Sequence, residues 1–183
     1  MKVIETSLPG VLLIEPTVIS DERGFFLESY NQARFADLSV TNNFIQDNHS
    51  KSVRDTLRGL HYQLRHPQAK LCRVVAGEVM DVVVDIRLGS SHFGKHMTAR
   101  LSAANKLEIF VPRGFAHGFV VLSDSAEFLY KCDDFYYKDD ERGVAWDDPD
   151  LNINWGVDNP ILSARDSRHP PLSRIPALEL PNL

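Results

Sequence analysis

Short runs in which apolar and polar residues alternate dominate the chain from about residue 44 onward. The clearest run extends from Glu78 to Arg87. A methionine, two valines and an isoleucine share one face of it, and valines share the other with Asp81 and Asp85. Such alternation with β-branched residues is typical of a strand in a sandwich or barrel. Further strands are predicted near residues 57–63, 70–76, 95–102, 107–111, 116–122 and 126–132. Turn-forming residues separate these strands, which predicts a closed or double-sheet β fold.

The two ends of the chain depart from this pattern. At the N-terminus, strands are predicted for residues 11–14 and 25–30, with a turn at 20–24 between them. Asn31 is a suitable cap for a short helix over residues 32–38. From about residue 147 the chain is rich in Asp, Asn and Pro, which predicts an irregular C-terminal wrap. We therefore expect a single domain over residues 1–183, a length that can bury a sizeable core.

Composition narrows the functional classes. The net charge of −5 gives no overall preference for nucleic acid or anionic membranes, so neither is expected as a partner. The two cysteines, Cys72 and Cys132, lack CxxC spacing and are predicted to be buried free thiols in a reducing compartment. No apolar run resembles a signal peptide or a membrane span. A cytoplasmic protein is the expectation.

The stretch from Leu57 to Gln63 combines strand-forming residues with polar residues whose burial costs free energy unless they are hydrogen-bonded. Arg58, His61 and Tyr62 need partners if this strand is half-buried. Taken alone, His61 is more simply a packed histidine than a catalytic one. Strict alternation would also place Arg58 and His61 on opposite faces, and a bulge around Gly59 would bring them to the same side.

Residues 112–119 fit the pattern P-x-G-x-x-H, which ends at His117 and resembles the second signature of the cupin superfamily. That resemblance implies a jelly-roll β barrel or sandwich. Metal-binding cupins offer H-x-H and a carboxylate on the first signature, whereas this chain has His61-Tyr62-Gln63 and, further on, Lys70. A divalent metal favours imidazoles and carboxylates and is repelled by an ammonium group. We therefore expect no metal and no cofactor.

Longer matches identify the chain as similar to the dTDP-4-dehydrorhamnose 3,5-epimerase family of nucleotide-sugar isomerases. They follow the family's order over nearly the whole chain. The matching segments are residues 21–26, 46–50, 57–63, 70–73, 77–87 and 112–119, then Tyr130-Lys131, Tyr136 and residues 162–166.

The resemblance implies a reaction on dTDP-4-keto-6-deoxyglucose in carbohydrate biosynthesis. The hydrogens on C3 and C5 lie next to the C4 ketone, which acidifies them without a cofactor. Inverting each carbon requires a base on one face of the sugar, an acid on the other and stabilisation of the enolate between them.

The same resemblance assigns roles to four catalytic residues. His61 matches the base and Asp166 the carboxylate that orients it, while Tyr130 matches the proton donor on the opposite face. An unperturbed imidazole pKa of about 6.5 suits a base at neutral pH. Lys70 matches the cation near the developing oxyanion on C4.

Further residues match the family's substrate-binding positions. Arginines can bind the diphosphate, and a flat aromatic ring can stack on thymine. Many relatives carry Lys at the position of Arg165. The predicted binding residues are Arg23, Glu28, Gln46, Asn48, Arg58, His117, Tyr136, Glu141 and Arg165.

Other functions compete with double epimerisation. Mono-epimerases and ketoisomerases of nucleotide sugars share much of the pattern, although the presence of Tyr130 favours the double reaction. A metal-dependent cupin enzyme and a non-enzymatic cupin that binds sugar nucleotides are more distant alternatives. The resemblance also implies a homodimer, in which N-terminal strands such as 25–30 are exchanged or packed at the interface, because exposed strand edges need covering.

Overall fold

A computed structural model describes residues 1–182, and nearly all of its regular structure is β-strand. The strands are β1 (Lys2–Glu5), β2 (Leu12–Glu15), β3 (Val18–Asp21), β4 (Gly24–Leu27), β5 (Gln46–Val53), β6 (Leu57–Gln63), β7 (Lys70–Ala76), β8 (Glu78–Asp85), β9 (His96–Ser102), β10 (Glu108–Val111), β11 (Phe115–Val121), β12 (Ser125–Cys132) and β13 (Glu141–Gly143). One helix, α1 (Gln32–Ala36), lies near the N-terminus. Three 3₁₀ turns follow the last strand, at Asp166–Arg168, Leu172–Arg174 and Ala177–Glu179.

The strands form two antiparallel sheets and a separate hairpin. The six-stranded sheet has the order β1-β2-β10-β7-β12-β5, and the five-stranded sheet has the order β13-β6-β11-β8-β9. Strands β3 and β4 pair only with each other. Apart from the consecutive pairs β1–β2 and β8–β9, neighbouring strands in each sheet come from distant parts of the chain. This is a cupin-type jelly-roll sandwich, as the P-x-G-x-x-H signature predicted.

Apolar side chains from both sheets form the core between them. Phe119 of β11 stacks on Phe128 of β12 with ring centroids 4.3 Å apart, which joins the five-stranded sheet to the six-stranded one. Val83, Leu101 and Ile109 are fully buried in the same cluster. The core fills one part of the sandwich and leaves another part free to form a cavity.

The outer faces of both sheets are also covered, each by one end of the chain. Phe35 of α1 is fully buried against the six-stranded sheet. The C-terminal wrap covers the five-stranded sheet through residues such as Trp155 and Leu172. The hydroxyl of Tyr62 also donates to the carbonyl oxygen of Glu179 at 2.9 Å. The wrap is therefore packed on β6.

Most predicted elements are confirmed, and the errors are missed strands and the end of one predicted strand. The side chain of Asn31 caps α1 by accepting from the backbone N–H groups of Ala33 and Arg34. Strands β1, β3, β5 and β13 were not predicted with bounds. Three of them have only three or four residues, and β5 is composed mainly of polar residues. The strand predicted over residues 25–30 ends at Leu27. Both cysteines are free and buried, as expected.

The β3–β4 hairpin exposes apolar side chains. Ile19, Phe25 and Phe26 are each more than three-fifths exposed. Phe25 lies under the ammonium group of Lys106, with Nζ 4.1 Å from the ring centroid. A two-stranded ribbon is marginally stable alone in water, and an exposed apolar patch marks an interaction surface.

Within residues 1–182, no helix is long and apolar enough to cross a membrane.

Glu108 of β10 is a buried carboxyl group, and its pH dependence can be tested. Burial raises its pKa to about 8 despite Arg73, and Oε2 has no hydrogen-bond partner within residues 1–182. The folded state therefore holds this proton after the unfolded chain has lost it near pH 4.5. Stability should fall as the pH rises from about 5 to 8.

We expect Glu108→Gln to remove this dependence and to raise the free energy of unfolding at pH 8 by about 1–3 kcal/mol. Urea denaturation at pH 5 and pH 8 measures it, with Glu22→Gln as a control at an exposed position. Equal slopes against pH for wild type and Glu108→Gln would contradict the assignment.

Candidate active site

A cavity of about 410 Å³ opens between the two sheets. Strands β5, β7 and β12 contribute to it from the six-stranded sheet, and β6 and β11 from the five-stranded one. The C-terminal wrap closes one side through Ser163, Arg165 and Asp166. All the predicted site residues line the cavity except Arg23 and Glu28.

An irregularity in β6 brings Arg58 and His61 to the same side. His61 pairs with His117 of β11, whereas Arg58 pairs with Phe119, so β6 contains one residue more than its partner over this stretch. Leu57 and Leu60, three positions apart, are both buried on the outer face. The bulge proposed at Gly59 is therefore confirmed.

Only glycine fits at the bulge. Gly59 has φ of +132°, and a Cβ atom there would lie 2.6 Å from the Cα atom of Gly118. The two backbones approach so closely because Gly118 also lacks a side chain. This contact between β6 and β11 sets the direction in which His61 points.

His61 forms a short hydrogen bond to Asp166, with Nε2 2.6 Å from Oδ1. Burial alone would raise the pKa of Asp166, but the imidazoles of His169 and His61 lower it well below its usual range. The carboxylate is therefore ionised, and Nε2 of His61 must carry the hydrogen. In the neutral ring this leaves Nδ1 unprotonated, 3.9 Å from Oε1 of Glu141.

Tyr130 lines the cavity from the opposite sheet. It lies on β12 across from Cys72 of β7 and Asn48 of β5, and it packs against the edge of the core. Burial, reinforced by the two neighbouring cysteines, raises the pKa of Tyr130 to about 12. The phenol therefore stays protonated at neutral pH and can donate a proton into the cavity.

Two cations also face this space. Lys70 is on β7, beside β12, and Arg58 is at the start of the bulge in β6. The Nε of Arg58 donates to the hydroxyl of Ser52 at 3.1 Å, which fixes the position of the guanidinium group. A negative charge that develops inside the cavity would therefore be stabilised.

His117 is held by a carboxylate of its own. Its Nε2 lies 2.9 Å from both oxygens of Asp81, and both side chains are almost fully buried. Asp81 was visible in the sequence only as an acid among valines, because its partner lies 36 residues away. The pair fixes the orientation of a second imidazole in the cavity wall.

Three side chains are linked at the mouth of the cavity. The hydroxyl of Tyr136 donates to Oε2 of Glu141 at 2.6 Å, and Arg165 donates to the same oxygen. The backbone N–H of Tyr136 in turn donates to the side chain of Gln46, which also bonds to Asn48. Glu141 therefore lies between His61 and Arg165.

Arg23 and Glu28 lie elsewhere. Arg23 is on the exposed hairpin, where it forms an ion pair with Asp21. Glu28 follows the hairpin and pairs with Arg34 of α1. Within this one chain, these two side chains contact no part of the cavity that the other predicted residues share.

Gln63 and His169, which lie near the cavity, were also not predicted as site residues. Gln63 holds the loop before Tyr137 through bonds to the backbone of His66, Phe135 and Tyr137. His169 places its Nε2 3.6 Å from Oδ1 of Asp166. The only signal for His169 was its position three residues after Asp166, in a segment without periodicity.

Comparison with known proteins gives one consistent result. A family model described as dTDP-4-dehydrorhamnose 3,5-epimerase matches residues 5–174. The chain is 55% identical to the dTDP-4-dehydrorhamnose 3,5-epimerase of Shigella flexneri, over 91% of this chain and 93% of that one. The corresponding enzyme of Pseudomonas aeruginosa is 53% identical with the same coverage.

Solved structures of nucleotide-sugar epimerases have the same fold as this chain. The 3,5-epimerase of Legionella pneumophila, crystallised with dTDP-4-keto-L-rhamnose, superimposes with a TM-score of 0.97 at 45% identity. That alignment covers 100% of this chain and 98% of the other. A 3′-monoepimerase of Streptomyces bikiniensis, crystallised with dTDP-quinovose, gives a TM-score of 0.91 at 35% identity, over 97% of this chain and 91% of that one.

The contact between Gly59 and Gly118 provides a stability test. Gly59→Ala adds the strain of a positive φ, about 1–3 kcal/mol, and a further cost of about 1–3 kcal/mol from overpacking against β11. Gly24→Ala is a matched control, because its φ of +127° is similar but nothing lies within 4 Å of the added Cβ. Urea denaturation should show the larger loss of stability for Gly59→Ala, and equal losses would mean that β11 does not confine the bulge.

Proposed function

This chain belongs to the dTDP-4-dehydrorhamnose 3,5-epimerase family, and we propose that it catalyses the reaction with His61 as base and Tyr130 as acid. The reaction converts dTDP-4-dehydro-6-deoxy-D-glucose to dTDP-4-dehydro-L-rhamnose by inverting C3 and C5. The observation that carries the assignment is that His61 and Tyr130 come from opposite sheets yet line one cavity of sugar size.

Proton abstraction begins at His61. Since Nε2 donates to Asp166, Nδ1 is the nitrogen that accepts the hydrogen from C3 or C5. The carboxylate of Asp166 then stabilises the imidazolium that forms. A carbon acid next to a ketone is much weaker than an imidazolium, and each unit of this pKa difference costs about 1.4 kcal/mol.

The enolate oxygen on C4 needs a cation to offset this cost. Lys70 is the proposed group, because its ammonium reaches the cavity from the strand beside Tyr130. Tyr130 then delivers its phenolic proton to the carbon from the face opposite His61, which inverts that carbon. Solvent returns a proton to the phenolate and removes one from the imidazolium before the next inversion.

The remaining cavity residues are proposed to bind the nucleotide. Arg58 and Arg165 offer planar groups for the diphosphate, and Tyr136 at the mouth offers a ring for thymine. His117 is fixed by Asp81 in the wall beside His61 and can contact the sugar. Gln46, Asn48 and Glu141 complete the polar lining.

We propose that the protein is a homodimer in which the hairpin of one protomer reaches the cavity of the other. The exposed apolar residues of the hairpin need a covering surface. Arg23, on the same hairpin, is 85% exposed and contacts no cavity within its own chain. A partner would explain both observations, because it would bury Phe25 and Phe26 and receive Arg23 and Glu28.

Proton exchange tests the two catalytic roles separately. In deuterium oxide, His61→Asn should incorporate no deuterium at C3 or C5, with turnover reduced by a factor of about 10²–10⁴. Tyr130→Phe keeps the base, so it should still exchange hydrogen for deuterium while inversion is lost. NMR of the sugar product follows both outcomes.

The same spectra discriminate against the alternative functions. Inversion at C3 alone in the wild type would indicate a mono-epimerase. Full exchange in His61→Asn would remove this residue as the base. Binding of dTDP with no exchange in the wild type would favour a non-enzymatic binding protein.

Mixing two inactive variants tests the shared site. Arg23→Ala and His61→Asn should each lack most activity as pure dimers. After subunit exchange, a mixed dimer contains one cavity with native His61 and a native Arg23 from the partner, so about a quarter of all sites should recover. Arg100→Ala replaces Arg23→Ala as the control, since Arg100 is an exposed arginine that pairs with Glu78 outside the cavity. No recovery in a confirmed mixed dimer, or a clean monomer by size-exclusion chromatography, would contradict the proposal.

A further inference from the structure

We propose that His61, Asp166 and His169 form a site for Zn²⁺ or a similar transition-metal ion, and that metal bound there stops catalysis. The inference rests on the proposed role of His61 as the base. Two imidazoles and a carboxylate are the donor set that zinc prefers. The three donor atoms lie within 4.8 Å of one another.

The distances suit a metal after a modest rearrangement of the side chains. Zinc ligands at about 2.0–2.2 Å from the ion are separated from each other by about 3.3–3.5 Å in a tetrahedron. Oδ1 of Asp166 lies 2.6 Å from Nε2 of His61 and 3.6 Å from Nε2 of His169. These two separations bracket the required value, and the two imidazole nitrogens lie no more than 4.8 Å apart. Side-chain shifts of about 1 Å would bring all three atoms onto one ion.

His169 is the residue that makes the set complete, and its placement is fixed. Its Nε2 is buried and has no hydrogen-bond partner within residues 1–182. The ring lies against Gly143, where a Cβ atom would come within 2.4 Å of it. The backbone N–H of Ala145 also donates to the carbonyl of Pro170, next to His169. Apart from Oδ1 of Asp166, 3.6 Å away, this nitrogen has no polar neighbour among the described residues that holds it, and a ligand role would supply one.

Glu141 favours the metal-bound form of His61. When an ion replaces the hydrogen on Nε2, the ring hydrogen of the neutral imidazole must lie on Nδ1. That atom is 3.9 Å from Oε1 of Glu141, close enough for a small movement to form a hydrogen bond. A carboxylate that accepts from the other ring nitrogen is the usual support of a histidine ligand.

The position of this hydrogen explains why the metal would inhibit. Nδ1 is the nitrogen that accepts the substrate proton, and it cannot do so while it carries a hydrogen. The ion itself would lie on the side of His61 away from the sugar, next to the C-terminal wrap. We therefore expect zinc to lower kcat and to leave the affinity for dTDP unchanged.

The site differs from the metal centre of other cupins, which the sequence argued against. The predicted absence of a metal concerned ligands from the sandwich strands, where Gln63 and Lys70 replace them. The proposed set takes only His61 from a strand and its other two donors from the C-terminal wrap. A resident metal cofactor is not implied, because bound metal blocks the base.

Zinc titration of chelator-treated protein tests the proposal by calorimetry and by turnover. The wild type should bind one Zn²⁺ per chain, and His169→Gln, which keeps a polar side chain of similar reach, should bind it at least about 10–100-fold more weakly. His49→Ala is the control, because His49 is an exposed imidazole 3.2 Å from Oε2 of Glu127. Thermal unfolding and dTDP binding confirm that each variant is folded.

The outcomes separate the two proposals. Equal zinc affinity in wild type and His169→Gln, zinc that competes with dTDP, or zinc that accelerates turnover would each overturn the metal site. Failure of the chelator-treated wild type to turn over substrate would instead count against the proposed function. Zinc binding that is lost in His49→Ala would show a surface site and would also overturn the proposal.

Discussion

The short hydrogen bond between His61 and Asp166 is the interaction on which the site depends. It joins the inner face of a sandwich strand to the C-terminal wrap, 105 residues further along the chain. The ionised carboxylate fixes which nitrogen of the ring carries the hydrogen, and so fixes the nitrogen that can act as a base. The geometry on the strand side depends on Gly59 and Gly118, since only two residues without side chains allow β6 to bulge against β11.

The sandwich gives this histidine a counterpart across the cavity. A single sheet offers one face to a ligand, whereas two facing sheets can offer an acid on one side and a base on the other. Burial keeps Tyr130 protonated through its raised pKa, and hydrogen bonding keeps Asp166 ionised through its lowered pKa. The same fold thus separates two titratable groups by environment, which is the requirement for acid and base chemistry at one pH.

Local pattern was enough to predict much of this architecture, and long-range contacts account for the rest. Strand-forming residues predicted the bounds of β6 and β7, and the conflict between Arg58 and His61 indicated a bulge. The pairing of His117 with Asp81 and the approach of His169 to Asp166 could not be predicted, because they depend on which strands are neighbours and where the wrap lies. Strand β13 could not be predicted for a similar reason. Its three residues, Glu-Arg-Gly, form a strand because they pair with β6 in the folded protein.

Strand β6 connects the catalytic cavity to the outside of the molecule. His61 faces inward, while its neighbour Tyr62 faces outward and donates to the carbonyl oxygen of Glu179 in the wrap. Warming that loosens the wrap would withdraw Asp166 from His61 while both sheets remain intact. Inactivation by heat would then precede global melting. Natural substitutions on the outer face of β6 or in the C-terminal wrap would therefore change the catalytic rate without contacting the substrate.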